Sequence, residues 1–308
     1  MKIAVMAAGG VGGYFGARLA AAGHDVTFIA RGEHLDAIHR TGLRIKSPLG
    51  NVHLRPGHAT SDPASIGPVD AVIFAVKLGD MKKAAEACRL LLGPDTAVVP
   101  FLNGVDAPGV LADTLGAYHA CGGVAYISAH IDEPGVIRHV GNFARLIFGE
   151  MDGRHSGRLE GLRKALADSG VEAAVSTQIE VVLWEKFTVL VALSGTTGAA
   201  RSAIGPLRAS EIGRDVFSAA MAEVMAVGRA MGIPLGDDLM ARQLKFFNEM
   251  PETMKASMLV DLEAGKPLEA PWLSGSVARL GREAGVPTPV NDALYLAVLP
   301  YIDGRLVK

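Results

Sequence analysis

The sequence predicts an α/β fold, in which an N-terminal Rossmann-type doubly wound domain is followed by an all-helical C-terminal domain. Residues 2–22 read as an apolar strand, a glycine-rich turn and a helix, and strands and helices then alternate as far as Thr177. From Gln178 onward, helical periodicity continues alone. We therefore expect one domain over residues 1–177 and another over residues 178–308, with a ligand site between them as the default.

The glycine-rich turn carries the first chemical signal. A turn without Cβ atoms lets the backbone approach a pyrophosphate, and the N–H groups of the following helix bind the anion. Ala7 stands where the first glycine of G-x-G-x-x-G makes the tight turn, so its effect on cofactor affinity stays open. The predicted cofactor-binding residues of this turn are Ala7, Ala8, Gly9, Gly10, Val11 and Gly12.

The end of the second strand indicates which dinucleotide is bound. The strand from His24 to Ala30 ends in Arg31, where a cofactor with a free ribose 2′-hydroxyl would be met by an acidic residue. A guanidinium can bind a 2′-phosphate bidentately, so the sequence favours NADP(H). The alternative is a solvated arginine, or one that pairs with the nearby Glu33.

Further elements of the first half end in polar residues. The buried strand from Asp70 to Val76 leads into Lys77, and the strand from Thr96 to Phe101 leads into Asn103. Both ends should lie at the carboxyl edge of the sheet, where open α/β folds bind ligands. Other strands are predicted at residues 43–47 and 52–55, joined by a hairpin-type turn, and at residues 124–131, 136–140, 145–148 and 171–175; helices are predicted at residues 32–40, 81–92 and 158–169.

The second half is predicted to contain six helices. Glycine and proline pairs supply the breaks between several of them. The predicted helices cover residues 179–200, 212–231, 237–250, 254–264, 271–284 and 291–306.

Composition narrows the class of protein. The chain has 308 residues, of which 49% are hydrophobic, and a formal net charge of -2, which gives no reason to expect nucleic acid or an anionic membrane as partner. Two cysteines, Cys88 and Cys121, support neither a disulfide framework nor a thiolate metal cluster. The histidine pairs lack metal-ligand spacing, so no metal site is predicted. We expect a cytoplasmic protein that does not span a membrane.

Lys186 lies in a segment that is apolar on nearly every side, residues 181–193. A helix of this kind is buried, and burial lowers the pKa of a lysine, which makes it a better proton donor near neutrality. The alternative is a lysine that reaches the surface or pairs with Glu180 or Glu185. The segment alone leaves both interpretations open.

Several motifs in register resemble the ketopantoate reductase family. They follow the family's order and spacing from Met1 to at least Gly285. The matching segments are residues 9–20, Phe28-Ile29-Ala30-Arg31-Gly32, Ala75-Val76-Lys77, Asn103-Gly104, Leu183-Trp184-Glu185-Lys186-Phe187, Ser257-Met258 and residues 261–269. The resemblance implies an NADPH-dependent enzyme that reduces a 2-oxo acid to a 2-hydroxy acid, possessing a Rossmann domain and a helical domain.

The resemblance also assigns roles to individual residues. Lys186 matches the family's catalytic lysine, Glu269 a glutamate near substrate and cofactor, and Asn103 an asparagine at the nicotinamide end that helps to hold the substrate. Ser257 matches a serine that binds the substrate carboxylate, and Lys77 matches a lysine near the cofactor. Hydride transfer to a ketone leaves negative charge on its oxygen, which a cationic proton donor stabilises.

The chain departs from the family at the substrate-binding positions. Leu190 and Ser194 stand at i+4 and i+8 from Lys186, where the family has asparagines, and four further positions that are polar in the family are Ile204, Met254, Pro271 and Ser274. Arg201 and Arg208 are either additional anion contacts or solvated arginines. The departures leave the identity of the 2-oxo acid open.

Three functional hypotheses follow. The first is reduction of 2-dehydropantoate (ketopantoate) to pantoate in pantothenate and coenzyme A biosynthesis. The second is reduction of a more apolar 2-oxo acid by the same machinery, which Leu190 favours. The third is an NADPH-sensing regulator without turnover, against which Lys186, Asn103 and Glu269 argue together. The apolar helices of the second half either form the interface of a homodimer or belong to the internal core.

Overall fold

A computed structural model describes residues 1–304 of the chain. Backbone contacts divide it into two compact units. Unit 1 comprises Met1–Leu102 and Asp106–Ile179, and unit 2 comprises Asn103–Val105 and the chain from Glu180 onward. The last residues of the predicted C-terminal helix, 305 and 306, lie outside the described range, as do residues 307 and 308. In the described part of the chain, no helix is both long and apolar enough to cross a membrane.

Unit 1 is built on a parallel sheet that confirms the predicted fold class. Its five strands are ordered β5-β2-β1-β6-β7, and each pairs in parallel with its neighbours. The strands are β1 (Lys2–Met6), β2 (Asp25–Ile29), β5 (Ala59–Thr60), β6 (Val69–Phe74) and β7 (Leu92–Pro100). Val5 of the central strand pairs with Phe28 on one side and Ile73 on the other, and all three are fully buried, as expected for a sheet covered on both faces.

A second sheet in unit 1 collects the remaining strands. Its order is β10-β9-β3-β4, and β8 pairs with β9 along an antiparallel hairpin. The strands are β3 (Arg44–Lys46), β4 (Val52–His53), β8 (Cys121–Glu133), β9 (Val136–Glu150) and β10 (Glu172–Val175). The two separate strands predicted at residues 136–140 and 145–148 are one strand, β9. The pairing register with β8 shifts between Tyr126 and Ser128, which accounts for the interruption in the sequence pattern.

Five helices complete unit 1. They are α1 (Gly10–Ala21), α2 (Gly32–Thr41), α3 (Met81–Cys88), α4 (Ala107–Leu115) and α5 (Gly157–Asp168). Helix α1 is buried along residues 12–17, because it packs against strands of both sheets. Glycines of α1 allow the close approaches: a Cβ on Gly13 would come within 2.1 Å of the Ile137 side chain in β9, and one on Gly16 within 2.6 Å of the Phe28 side chain in β2.

Unit 2 is helical in the part the structure describes. Its helices are α6 (Ile179–Ala200), α7 (Ile204–Ala209), α8 (Glu211–Ala230), α9 (Leu239–Glu249), α10 (Ser257–Glu263), α11 (Ser274–Ala284) and α12 (Pro289–Val298). The bounds of α6 agree with the prediction. Helix α10 begins three residues later than predicted, and a short 3-10 turn, Ala270–Trp272, precedes α11 where a continuous helix was expected.

Helix α6 is the central element of unit 2. Trp184, Phe187 and Val191 lie on one face in a cluster with residues of α8 and α11. Val189 and Ala192 lie on another face in a second cluster, which contains Phe217 and Phe247. Because both faces are covered, the helix is apolar nearly all round, and any charged residue on it must find a specific partner.

Candidate active site

The turn between β1 and α1 has the backbone that a nucleotide-binding motif needs. Ala7 adopts a φ of 75°, the left-handed region in which glycine is ordinarily placed. An L-residue in this region costs about 1–2 kcal/mol. The strand–turn–helix geometry is thus retained despite the missing first glycine, and Ala7 carries the strain.

The N-terminus of α1 is open toward an anion. Gly9 is its N-cap, and a Cβ placed on Gly9 would meet nothing within 4 Å. The first turn contains no acidic residue, and no side chain of the described residues caps it. Its backbone N–H groups and the positive end of the helix dipole therefore remain available to a phosphate.

The next glycines lie within the helix, where the sequence had placed the turn. A Cβ on Gly10 would approach the carbonyl oxygen of Ala129 to 2.2 Å, and one on Gly12 would approach that of Ala7 to 2.3 Å. These glycines allow α1 to pack tightly against β8 and against the turn itself. The residues present fit a dinucleotide pyrophosphate, since Gly9 leaves space for the ligand and the others hold the helix in place.

Arg31 and Asp80 form an ion pair at the carboxyl edge of the parallel sheet. Arg31 follows β2 directly, and Asp80 ends a 3-10 turn, Leu78–Asp80, that follows β6 and Lys77. One guanidinium nitrogen of Arg31, Nη2, donates to Oδ2 of Asp80. The Arg31 side chain is 78% exposed and that of Asp80 43% exposed, so water screens the pair. The alternative pairing of Arg31 with Glu33 does not occur among the described residues.

Lys186, Asn103 and Glu269 come together within unit 2. The ammonium Nζ of Lys186 donates to Oδ1 of Asn103 at 3.3 Å, although 83 residues separate them in sequence. Burial lowers the pKa of Lys186 from 10.5 to about 8, and the negative charge of Glu269 partly opposes this shift. Lys186 is half-buried, and loss of hydration around its ammonium is the main cause of the lowered pKa. Such an amine is mostly protonated at neutral pH and gives up its proton readily.

The neighbouring Glu185 has a different partner. Its carboxylate accepts a hydrogen bond from Nη2 of Arg242 at 2.6 Å, and its carbonyl accepts one from the side chain of Gln243 at 3.0 Å. Glu180 is exposed in the first turn of α6. The sequence had left open a pairing of Lys186 with either glutamate; instead, Lys186 contacts Asn103, with Glu269 as the acidic group that acts on it.

The backbone beside Asn103 is held by the segment that carries Glu269. Gly104 has a φ of 84°, and a Cβ there would lie 3.0 Å from the carbonyl oxygen of Trp272. The N–H of Trp272 donates to the carbonyl of Glu269 at 3.0 Å, which closes the 3-10 turn between them. Glycine suits both this φ and this close approach, so the backbone after Asn103 can lie against the turn that follows Glu269.

Leu190 and Ser194 follow Lys186 along α6. Leu190 is half-buried and packs against the cluster that contains Trp184 and Phe187. Ser194 is fully buried, and its hydroxyl has no hydrogen-bond partner among residues 1–304. A buried hydroxyl without a partner is costly, which makes Ser194 a candidate to bind a polar ligand group.

The two remaining predicted residues lie at exposed positions. Ser257 is the exposed first residue of the short helix α10. Lys77 is exposed directly after β6, at the sheet edge that also carries Arg31 and the glycine turn. The sequence did not single out Asp80, although an acidic residue three positions after Lys77, at the end of a neighbouring strand, is a signal that could have found it.

Comparisons with known proteins match both halves of the chain to one family. A family model described as ketopantoate reductase PanE/ApbA matches residues 3–153, and the model of its C-terminal domain matches residues 178–301. The chain belongs to the ketopantoate reductase family. It is therefore a dinucleotide-dependent oxidoreductase of the class that reduces 2-oxo acids, as the sequence predicted.

Individual relatives align with this chain over nearly its full length. The 2-dehydropantoate 2-reductase of Mesorhizobium japonicum is 34% identical over 327 residues, covering 97% of this chain and 97% of that protein. An uncharacterized oxidoreductase of Bacillus subtilis, YkpB, is 31% identical over 301 residues, covering 98% and 99%. The crystal structure of a PanE/ApbA family ketopantoate reductase from Ralstonia eutropha JMP134 matches with a TM-score of 0.90 and 32% identity, over 98% of this chain and 99% of that one.

Two of the departures from the ketopantoate reductase pattern belong to the core. Ile204 is fully buried in the cluster around Phe217 and Phe247, and Met254 packs against the same cluster. The N–H of Ile204 also donates to the carbonyl of Met254 at 3.0 Å. These two apolar residues therefore contribute to the interior packing of unit 2 at positions that are polar in the family.

The last two departures, Pro271 and Ser274, follow Glu269 closely in the sequence. Pro271 is part of the 3-10 turn Ala270–Trp272, and Ser274 is the buried first residue of α11. A Cβ on Gly195 of α6 would come within 3.1 Å of the Ser274 hydroxyl oxygen. Ser274 thus packs against α6 one residue from Ser194.

Arg201 and Arg208 have structural contacts. Nη1 of Arg208 donates to the carbonyls of Phe247, Asn248 and Met250 at the end of α9, which satisfies carbonyls that the helix leaves unpaired. The guanidinium of Arg201 lies 4.9 Å from the ring centre of Tyr301. Nη2 of Arg208 also lies 3.6 Å from Oε1 of Glu252. Arg208 consequently caps the end of α9 and pairs with a carboxylate of the chain itself.

Proposed function

We propose that this protein reduces a 2-oxo acid to the corresponding 2-hydroxy acid with NADPH, and that the acid is 2-dehydropantoate, which yields pantoate for pantothenate biosynthesis. The observation that carries the proposal is the hydrogen bond from the ammonium of Lys186 to Asn103, with Glu269 as the neighbouring negative charge and a Lys186 pKa of about 8. The match with 2-dehydropantoate 2-reductases over nearly the whole chain supports it.

Reduced nicotinamide supplies a hydride when it is bound. As the hydride reaches the carbonyl carbon, the C=O π electrons move onto oxygen, and this developing charge needs both a cation and a proton. Lys186 supplies both: an N–H bond of its ammonium breaks as the new O–H bond forms, which leaves a neutral amine. The overall reaction consumes one hydride and one proton per 2-oxo acid, and the amine regains its proton from solvent.

The pKa of Lys186 suits this task. With a pKa of about 8, roughly nine-tenths of the amine is protonated at pH 7. A lysine at its ordinary value of 10.5 would also be charged, but it would be the weaker acid. A group of this type contributes about 10²–10⁴-fold to the rate.

Asn103 and Glu269 complete the arrangement around the amine. Because Oδ1 of Asn103 accepts from Lys186, the amide nitrogen of Asn103 is the end that donates to the substrate. Glu269 keeps the pKa of Lys186 from falling further, and its carboxylate can accept a hydrogen bond from the hydroxyl that forms. Ser194 offers an unpartnered buried hydroxyl on the same helix as Lys186, and Ser257 is proposed for the substrate carboxylate.

NADPH is the proposed cofactor because of the residues at the sheet edge. Arg31 follows β2, where the ribose 2′ position of a bound dinucleotide lies in this fold, and Lys77 follows β6 at the same edge. A guanidinium binds a phosphate through parallel hydrogen bonds. Ala8 to Gly12 and the N-terminus of α1 are proposed to hold the pyrophosphate.

A second candidate function is reduction of a more apolar 2-oxo acid by the same residues. Leu190 stands one helical turn from Lys186 and presents an aliphatic side chain to the cluster of Trp184 and Phe187. A leucine cannot hydrogen-bond the hydroxyl of 2-dehydropantoate, and an unsatisfied buried polar group costs about 1–3 kcal/mol. This observation favours a branched or aromatic acid without that hydroxyl.

Steady-state NADPH oxidation distinguishes these functions. The purified protein is tested with 2-dehydropantoate, 2-oxoisovalerate and phenylglyoxylate, and kcat/KM is compared. The first proposal predicts the highest kcat/KM for 2-dehydropantoate. A value at least tenfold higher for one of the other acids would establish the second candidate, and no oxidation with any 2-oxo acid would contradict both and favour a cofactor-sensing role.

A further inference from the structure

The Arg31–Asp80 ion pair lies where cofactor choice is made. Strands β2 and β6 flank β1 in the sheet, so the residues that follow them lie on either side of the glycine turn. Arg31 reaches Asp80 across this edge, 49 residues away in sequence. The 2′-phosphate of a bound NADPH and the Asp80 carboxylate would therefore both face the guanidinium of Arg31.

We infer that Asp80 is a specificity-determining residue that opposes binding of a 2′-phosphate at Arg31 and so narrows the preference for NADPH over NADH. The inference rests on the proposed role of Arg31 as the 2′-phosphate ligand. A carboxylate beside the guanidinium competes with the phosphate for its N–H groups and repels the phosphate charge. A ribose with a free 2′-hydroxyl carries no such charge and is not repelled.

Asp80 could either compete with the phosphate for Arg31 or orient Arg31 to bind the phosphate. The exposure of both side chains decides between these two roles. If Asp80 held Arg31 in the orientation that binds phosphate, its removal would weaken NADPH binding. A single hydrogen bond between side chains that are 78% and 43% exposed provides little orientation, because solvent screens it and the arginine keeps other conformations. Solvent also screens the repulsion between Asp80 and a bound phosphate, but the phosphate adds up to two negative charges, and Nη2 of Arg31 must leave Asp80 before it can donate to the phosphate. Competition is therefore the larger effect.

Replacement of Asp80 leaves the surrounding fold intact. Asp80 stands at the N-cap position of α3, but its side chain accepts no hydrogen bond from the N–H groups of that helix among the described residues. Asp80→Asn keeps the size of the side chain and removes only its charge. Glu33→Gln is the matched control, because it removes the same charge from an exposed residue two positions after Arg31.

The test is equilibrium binding, which does not depend on turnover. NADPH and NADH are titrated into the full-length wild-type protein, Asp80→Asn and Glu33→Gln, and binding is followed by fluorescence of the reduced nicotinamide. Asp80→Asn should tighten NADPH binding by about tenfold at low ionic strength and change NADH binding by less than twofold. Raising the salt concentration should shrink this gain, and Glu33→Gln should leave the NADPH/NADH ratio within about twofold of the wild-type ratio.

The outcomes separate this inference from the proposed function. Unchanged or weaker NADPH binding by Asp80→Asn would overturn the inference, and an equal gain in Glu33→Gln would reduce it to a general charge effect and overturn it as well. Arg31→Ala tests the underlying proposal in the same titration: equal losses for NADPH and NADH would remove Arg31 as the 2′-phosphate ligand. If the wild-type protein binds neither dinucleotide, the proposed function itself fails.

Discussion

The amine of Lys186 lies 3.3 Å from the amide oxygen of Asn103, and the two residues come from chain segments 83 positions apart. Asn103 follows the last strand of the parallel sheet, whereas Lys186 lies in the middle of the buried helix α6. Chain topology thus brings a polar residue that ends a strand to a cation that would otherwise be costly to bury. Glu269 supplies the opposing charge.

Replacement of Lys186 should abolish most of the turnover. We expect Lys186→Ala to lower kcat by about 10²–10⁴-fold, because the carbonyl oxygen loses its proton donor, while NADPH binding persists. The measurement is NADPH oxidation combined with equilibrium cofactor binding. Lys245→Ala, which removes an exposed lysine of unit 2, should retain nearly full activity. A Lys186→Ala variant with near-native turnover would end the assignment.

Glu269 should set the upper pH limit of activity. Its charge raises the pKa of Lys186, so Glu269→Gln should lower that pKa below about 8. Since the protonated amine is the active form, turnover falls as pH rises through this pKa, and the falling limb should move to lower pH in the variant. The pH profile of kcat is measured for both proteins and for Glu263→Gln, an exposed glutamate paired with Lys255. A limb that stays in place, or moves to higher pH, would contradict the role of Glu269.

Gly104 should be indispensable for the position of Asn103. Gly104→Ala would combine a φ of 84° with a Cβ 3.0 Å from the Trp272 carbonyl oxygen. We expect kcat/KM to fall at least about tenfold, because small displacements of a positioning group are costly in rate. Gly109→Ala is the control, since a Cβ there meets nothing within 4 Å and the residue lies in helix α4. Equal kinetics of the two variants would show that Gly104 does not position Asn103.

Ala7 should be a site at which glycine stabilises the protein. Its φ of 75° is strained for alanine, and Ala7→Gly should raise the free energy of unfolding of unit 1 by up to about 1 kcal/mol, after the larger entropy of glycine in the unfolded chain is subtracted. Urea denaturation followed by circular dichroism measures the change. Ala8→Gly, at a buried residue without positive φ, should be destabilising. A destabilised Ala7→Gly would show that the strain is absent.

The sequence predicted those parts of the fold that local patterns determine. Apolar runs such as residues 70–76 identify buried parallel strands, and helical periodicity gave the bounds of α6 to the residue. The second sheet was not predicted as a separate unit, because its pairings join distant segments. Ile45 pairs with Ile137, for example, and nothing in either segment specifies the other.

For the candidate site too, the sequence identified residues, whereas the contacts between them came from the structure. The resemblance to a family gave Lys186, Asn103 and Glu269, and the structure adds the contact that joins the first two. The Arg31–Asp80 pair could not be inferred, because it depends on the order of strands in the sheet. Ile204 departs from a polar family position, and its packing with Phe217 and Phe247 in the core could not be inferred from that departure.

The role of Lys186 as proton donor can be tested by measuring its own ionisation. The Cε resonances of 13C-labelled lysines are followed by NMR from pH 6 to pH 11, with Lys186→Ala to assign the signal. If Lys186 is the proton donor, its signal should titrate with a pKa of about 8. A Lys186 signal that titrates at the ordinary value of 10.5 would contradict it.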